Sequence, residues 1–459
     1  MAPLSRFSRY ILWSILIISA VLRVILCVAG GQDYWPDERR DNPGRMLQGL
    51  IDHDYKELFS GLDDPHRPVF TALAMIPAAV SRVTGHEATV KALFFSVASV
   101  VSIWLLAAIA RELGAGELES LLAAGLLAVS TSFLYWSRHV QSYDLAMMFA
   151  LVALLVGIRR SLSVSRLYVC GFIGGLVFLT YPGYWTTVVV VAAFCIMRRS
   201  TTSLRQDVVN ALVVLAGVMT LPALAIAISR VSGGQMYERL ATYSNIIDEG
   251  SFQEGWSLPF EYLWHTEHLV LVLWLASVLW AMTRSNVSAR VQAGVFGAFL
   301  IYALLVASSV GLSKFVVYGR LTRQVVPFLC LVAAAALSEL WQLPDRRVRF
   351  ALFVIAGVLL MQVAANFWQP FVQSFPEDFI TRNRPDNNAA ARYQRFIWVN
   401  AEHLYPGPEP VTLPPHSVTL ATARHPLEFL PYQYEGYTPE RRAVLRSADI
   451  RMQLIGVLP

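Results

Sequence analysis

Long apolar runs separated by short polar turns dominate the chain, and their lengths predict helices that cross a bilayer. A crossing takes about 20 residues at about 1.5 Å each. Runs near residues 10–30, 88–110, 119–136, 142–158, 166–181, 184–197, 207–229, 268–283, 291–312, 324–341 and 350–368 meet or approach that length, predicting about eleven crossings. One further run, PVFTALAMIPAAVSRVT at 68–84, is shorter and holds Pro77 and Arg82. After residue 368 the pattern changes to polar stretches broken by prolines, as in YPGPEPVTLPP.

Charge orients the runs. Short loops rich in Lys and Arg stay in the cytoplasm, and here Arg159, Arg160 and Arg166, then Arg198, Arg199 and Arg205, then Arg284 and Arg290, then Arg346, Arg347 and Arg349 mark one side. The turn from Thr180 to Tyr184 and the loop from Val231 to Glu267 are neutral or acidic and mark the other. The amino terminus is then inside and the carboxyl terminus outside. A crossing at 68–84 would reverse every later loop, so that run is predicted to lie along the membrane within the first outer loop, 31–87. Arg6 and Arg9 precede the first run, which reads as a retained span and not a removed signal.

Composition agrees with this class. Hydrophobic residues make up 55% of the chain and charged residues 15%, with a mean hydropathy of +0.49, which excludes an ordinary soluble enzyme. The net charge of +5 comes mostly from arginines in short loops and gives no sign of nucleic-acid binding. Cys27, Cys170, Cys195 and Cys330 all fall inside apolar runs without CxxC or Cys/His spacing, as packing residues do. The expected architecture is an all-α polytopic membrane domain over 1–368 with a small extracytoplasmic region at 369–459.

This topology gathers polar residues on the outer side. Asp37 and Glu38 follow the first span; His66 and Arg67 open the 68–84 run; Arg138, His139, Tyr143 and Asp144 share the turn SRHVQSYD. Tyr181 and Tyr184 lie in TYPGYW, and Lys314, Arg320 and Arg323 in KFVVYGRLTRQVVP. A carboxylate within reach can accept the proton of an attacking hydroxyl. Arginines grip phosphate with paired hydrogen bonds and stabilise charge that grows on it. The set suits transfer from a lipid-linked phosphate donor, with the bilayer aligning the lipid. Bland alternatives stand beside each role: Asp37, Glu38 and Asp144 as helix-starting acids, Lys314 and Arg320 as cations snorkelling to headgroups, and Tyr181, Tyr184 and Trp185 as an aromatic belt.

The PDE motif after the first span, HRPVF, SRHVQSYDLAMMF and RQVVPFLCLVAAAAL occur in an order that resembles the GT-C superfamily of membrane glycosyltransferases. The similarity is nearest the bacterial branch of the protein O-mannosyltransferase family that includes aminoarabinose and galacturonic acid transferases, and covers about residues 10–345. It implies a polyprenyl-phosphate sugar donor, a lipid, glycan or protein acceptor, an extracytoplasmic site in a bacterial inner membrane, inversion at the sugar carbon, and Asp37 as base. Glu38 and Asp144 join it as catalytic candidates; His66, Arg67, Arg138, His139, Lys314, Arg320, Arg323 and Tyr181 are the donor-binding candidates. The chain departs from that branch at RRDNPGR, where Pro43 and Gly44 interrupt an expected helix, and at His66-Arg67-Pro68 in place of Lys-Pro-Pro.

No cofactor motif stands out, and the acidic residues leave room for a divalent metal. His265 and His268, with Glu261 and Glu267, lack a recognised metal spacing such as HExxH. The tail's Phe429, Tyr432, Tyr434 and Tyr437 suit packing on the outer loops better than stacking on an acceptor. The rival function is a transporter or flippase of lipid-linked sugars, disfavoured because no pair of interrupted, charged spans recurs in matching halves. A noncatalytic subunit that retains the fold is the third reading.

Overall fold

The computed structural model describes residues 4–29, 42–59, 67–85, 87–159, 163–199, 204–238, 240, 258–267, 269–283, 288–308, 321–367, 417–420 and 454–457. The helices are α1 (Arg6–Ala29), α2 (Asn42–Ile51), α3 (Tyr55–Phe59), α4 (Pro68–Thr84), α5 (Glu87–Glu112), α6 (Glu117–Val129), α7 (Thr131–Trp136) and α8 (Tyr143–Gly157). They continue as α9 (Val164–Thr180), α10 (Trp185–Arg199), α11 (Leu204–Val231), α12 (Leu258–Glu267), α13 (Leu269–Met282), α14 (Ala289–Val306), α15 (Val326–Gln342) and α16 (Arg346–Phe367). Single 3-10 turns at Pro182–Tyr184 and Thr322–Val325 lead into α10 and α15. The tail adds a pair of antiparallel strands, β1 (Ser417–Leu420) and β2 (Leu454–Val457), to the helices.

Every apolar run predicted to cross carries helix. Among the described residues, four helical segments are long and apolar enough to span a bilayer by length and composition: Arg6–Val28, Thr89–Glu112, Leu204–Val231 and Thr322–Gln342. Shorter apolar helices, among them Pro68–Thr84 and Tyr143–Gly157, pack with them. Large side chains such as Tyr10, Trp13 and Ile17 on α1, Leu212, Leu215 and Met219 on α11, and Phe350 and Phe353 on α16 point outward. An apolar exterior of this extent suits lipid and not water. The chain is therefore an integral membrane protein.

The interior forms one large core in which α1, α5, α6 and α8 pack together and α15 lies against α6, α13 and α14. The closest pairing is α9 with α11. Glycines make it: a β-carbon on Gly171 would lie 2.1 Å from the Val214 carbonyl oxygen, and one on Gly217 would lie 2.3 Å from that of Tyr168. Small residues let backbones meet where no water is available to drive association.

The 119–136 run differs from the expected single span. Its helix stops at Ser130, which turns to φ −59° and ψ 124°, and restarts as α7. The serines and threonine of AVSTSF offer their hydrogen-bonding groups to a partner outside the run, which competes with continuing the helix.

Candidate active site

The turn between α7 and α8 is the polar centre of the bundle. Ser137, Arg138, His139, Gln141, Ser142 and Asp144 are all buried, although most are residues that normally face water. The turn is tied to its surroundings from several directions. The Cys27 thiol on α1 donates to the Ser137 carbonyl at 3.8 Å. Arg67 precedes α4 and donates from Nη1 to Gln141 Oε1 at 3.3 Å, with its guanidinium 5.4 Å from the Phe70 ring centre.

Asp144 sits in the first turn of α8, where a carboxylate is favoured by the helix dipole. Its Oδ1 accepts from Nη2 of Arg323, which arrives from the 3-10 turn before α15, 179 residues later. Both side chains are buried, and the Arg323 guanidinium lies 4.4 Å from the Phe133 ring centre on α7. One arginine is thus held by a carboxylate and by an aromatic face, which restricts where its remaining N–H groups can point.

An aromatic and amide scaffold continues the site. Tyr143 meets Trp136 edge-on at 5.0 Å and Tyr181 at 4.9 Å, and Tyr181 meets Tyr184 at 5.8 Å. Gln324, beside Arg323, accepts from the hydroxyls of Thr186 and Thr187 and donates to the carbonyls of Leu321 and Gly183. That side chain locks the TYPGYW turn to the turn carrying Arg323. Gly183 leaves the required space, since a β-carbon there would lie 2.6 Å from Leu321 Cδ2 and 2.7 Å from Tyr181 Cε1.

Of the predicted residues, Arg67, Arg138, His139, Asp144, Tyr181 and Arg323 come together around this turn. Asp37, Glu38, His66, Lys314 and Arg320 lie outside the described residues. Asp144 is engaged by Arg323 through Oδ1. Among the described residues no three His, Cys, Asp or Glu side chains converge to hold a metal. The side chains of Glu261, His265 and His268 lie outside that description, and Glu267 is bound to Ser130, Thr131 and Ser132.

Two contributors escaped the sequence reading. Gln324 gave no signal, because its partners are set only by the fold. Arg23 could have been found: an arginine inside an apolar span is costly and marks function by default. It is fully buried on α1, donating from Nε to Ser99 Oγ at 3.0 Å and from Nη1 to the Ser19 carbonyl at 3.1 Å. Its Nη2 has no hydrogen-bond partner among the described residues, and it lies within electrostatic range of Asp144 and Arg323.

Residues 66–226, which carry Arg67, the α7–α8 turn and Tyr181, match the family model of the dolichyl-phosphate-mannose-protein mannosyltransferases. No curated protein matches the chain. ArnT from Cupriavidus metallidurans, solved in the apo state, superposes with a TM-score of 0.52 at 14% identity, covering 86% of this chain and 70% of ArnT. The same protein solved with undecaprenyl phosphate bound gives the same values. The archaeal oligosaccharyltransferase AglB from Archaeoglobus fulgidus, solved with an inhibitory peptide and a dolichol-phosphate, gives a TM-score of 0.47 at 13% identity over 89% of this chain. The chain spans 62% of the length of AglB. The chain thus has a fold similar to that of ArnT.

Proposed function

We propose that the protein is an integral membrane glycosyltransferase that moves a sugar from a polyprenyl-phosphate donor to a hydroxyl of a lipid, glycan or protein acceptor on the extracytoplasmic face. The observation that carries this reading is the buried cluster at the α7–α8 turn, where Arg323 pairs with Asp144, Arg67 binds Gln141, and Arg138 and His139 are buried in the turn itself, inside a fold shared with ArnT. Arg323, preset by Asp144 and Phe133, would receive the donor phosphate with its remaining N–H groups, and Arg67 and Arg138 would add charge. ArnT has been solved with undecaprenyl phosphate, which supports a ligand of that class.

In the proposed reaction Asp37 takes the proton of the acceptor hydroxyl as its oxygen attacks the anomeric carbon. The bond from that carbon to the phosphate oxygen breaks, the sugar inverts, and the polyprenyl phosphate leaves with its new negative charge held by the arginines. Glu38 sits next in sequence to share this work, and His66, Lys314 and Arg320 are assigned to donor binding with Tyr181 against the sugar. Eleven crossings, with the amino terminus in the cytoplasm of a bacterium and the 369–459 region outside, complete the arrangement.

The test is transfer by the purified full-length protein from a panel of radiolabelled polyprenyl-phosphate sugars to extracted lipids, glycans and membrane proteins. Transfer from one donor is the expected outcome. Donor binding without transfer, together with movement of lipid-linked sugar across reconstituted vesicles, would replace the enzyme with a transporter.

A further inference from the structure

Glu267 ends α12, and its carboxylate is completely buried. Four donors reach it from one short stretch of chain. Oε1 accepts from the Ser130 hydroxyl at 2.8 Å, the Ser132 amide at 3.1 Å and the Ser132 hydroxyl at 2.6 Å; Oε2 accepts from the Thr131 amide at 3.1 Å. The two amides belong to the first turn of α7, where backbone N–H groups have no partner inside the helix. Ser130 stands where a capping residue would, yet its hydroxyl donates to Glu267 and does not cap α7. A carboxylate 135 residues away from Ser132 therefore fixes where α7 begins.

The placement of α7 matters to the site. Its Phe133 ring lies under the Arg323 guanidinium, and its Trp136 meets His139 and Tyr143. Helix α12 also packs directly on the 3-10 turn that carries Arg323. Burying a carboxylate is expensive unless hydrogen bonds fully compensate it. Both ends of the Phe133–Arg323 contact thus lean on the segment that Glu267 terminates.

We propose that Glu267 is a positioning residue: its carboxylate caps α7 so that Phe133 holds Arg323 in the orientation that receives the donor phosphate. This rests on the polyprenyl-phosphate reading above. The experiment uses full-length protein in nanodiscs, with undecaprenyl phosphate as the titrated probe and amide hydrogen exchange over 130–136 as a readout independent of the ligand. Glu267→Ala should speed exchange across α7 and weaken undecaprenyl phosphate binding about tenfold, the scale of a lost cation–π contact and its alignment. Glu267→Gln should be intermediate, because an amide oxygen can replace Oε1 while its NH2 faces the Thr131 N–H. Phe133→Leu should weaken binding with exchange at 131 and 132 unchanged.

Faster exchange with unaltered affinity would reduce Glu267 to a structural cap and overturn the proposal, as would no change in either readout. Should Glu267→Ala not fold, Ser132→Ala, which removes one hydroxyl donor only, and Phe133→Leu decide the matter by the same two readouts. Wild-type protein that does not bind undecaprenyl phosphate would refute the functional reading itself and the proposal with it; that outcome differs from the others by appearing before any substitution.

Discussion

Two ion pairs join distant parts of this chain at opposite ends of the bundle, and they are built differently. At the end where α1 and α6 begin, Glu119 pairs with Arg290, whose side chain is 30% exposed. Nearby, Glu117 accepts from the Ser5 amide and hydroxyl and from the Ser8 hydroxyl, stapling the start of α1 to α6. At the α7–α8 end, Asp144 and Arg323 are buried, and Arg23, Arg67 and Arg138 are buried around them. The first end sets its ion pair where water reaches the arginine. The second gathers Asp144, Arg323, Arg23, Arg67 and Arg138 in the interior, where a charge is tolerated only when it is compensated.

The comparison is broken most severely by removing one partner from each pair. Asp144→Ala leaves Arg323 without its carboxylate in the interior and should cost about 3–5 kcal/mol. Glu119→Ala frees an arginine that water can reach and should cost about 1 kcal/mol or less. Thermal unfolding in one detergent, run on both variants, checks the difference. Equal losses would mean that the two pairs do the same job.

A smaller effect is expected at Gln324. Gln324→Leu strands the hydroxyls of Thr186 and Thr187 and the carbonyls of Leu321 and Gly183, a loss of about 1–3 kcal/mol. It should also loosen the Arg323 turn, so donor KM should rise more than kcat falls. A change in melting temperature with KM unaltered would confine Gln324 to structure.

The smallest effect sharpens the staple. Hydrogen bonds from Ser8 and Ser5 hold the Glu117 carboxyl down to about 2 from its ordinary 4.5. A carboxyl lowered on folding favours the folded state above its unfolded value, so this contribution is complete above about 4.5 and disappears as pH falls toward 2. Amide exchange in the first turn of α1, corrected for its intrinsic pH dependence, should therefore quicken below pH 4 in wild type and lose that added dependence in Glu117→Ala.

The sequence made the helices legible because bilayer thickness fixes the length of an apolar run: 88–110 became Glu87–Glu112 and 142–158 became Tyr143–Gly157. It also singled out Arg67, Arg138, His139, Asp144 and Arg323, which the fold brings to one turn, because charged residues at span ends are rare enough to notice. Three features were missed. A single Arg23 is diluted in any average over a span of about 20 residues. The break at Ser130 depends on Glu267, 137 residues away, and no local pattern reports it. The Asp144–Arg323 pair was present in the sequence only as two separate candidates, since ion pairing across 179 residues is a property of packing.

The central claim is that the buried cations hold a lipid phosphate while a carboxylate after the first span moves the acceptor proton. The most direct measurement compares wild type with Asp37→Asn for sugar transfer and for binding of the polyprenyl-phosphate donor. The account predicts a loss of turnover of about 10² to 10⁴, the contribution of a general base, with donor affinity essentially retained. Full turnover by Asp37→Asn would contradict it.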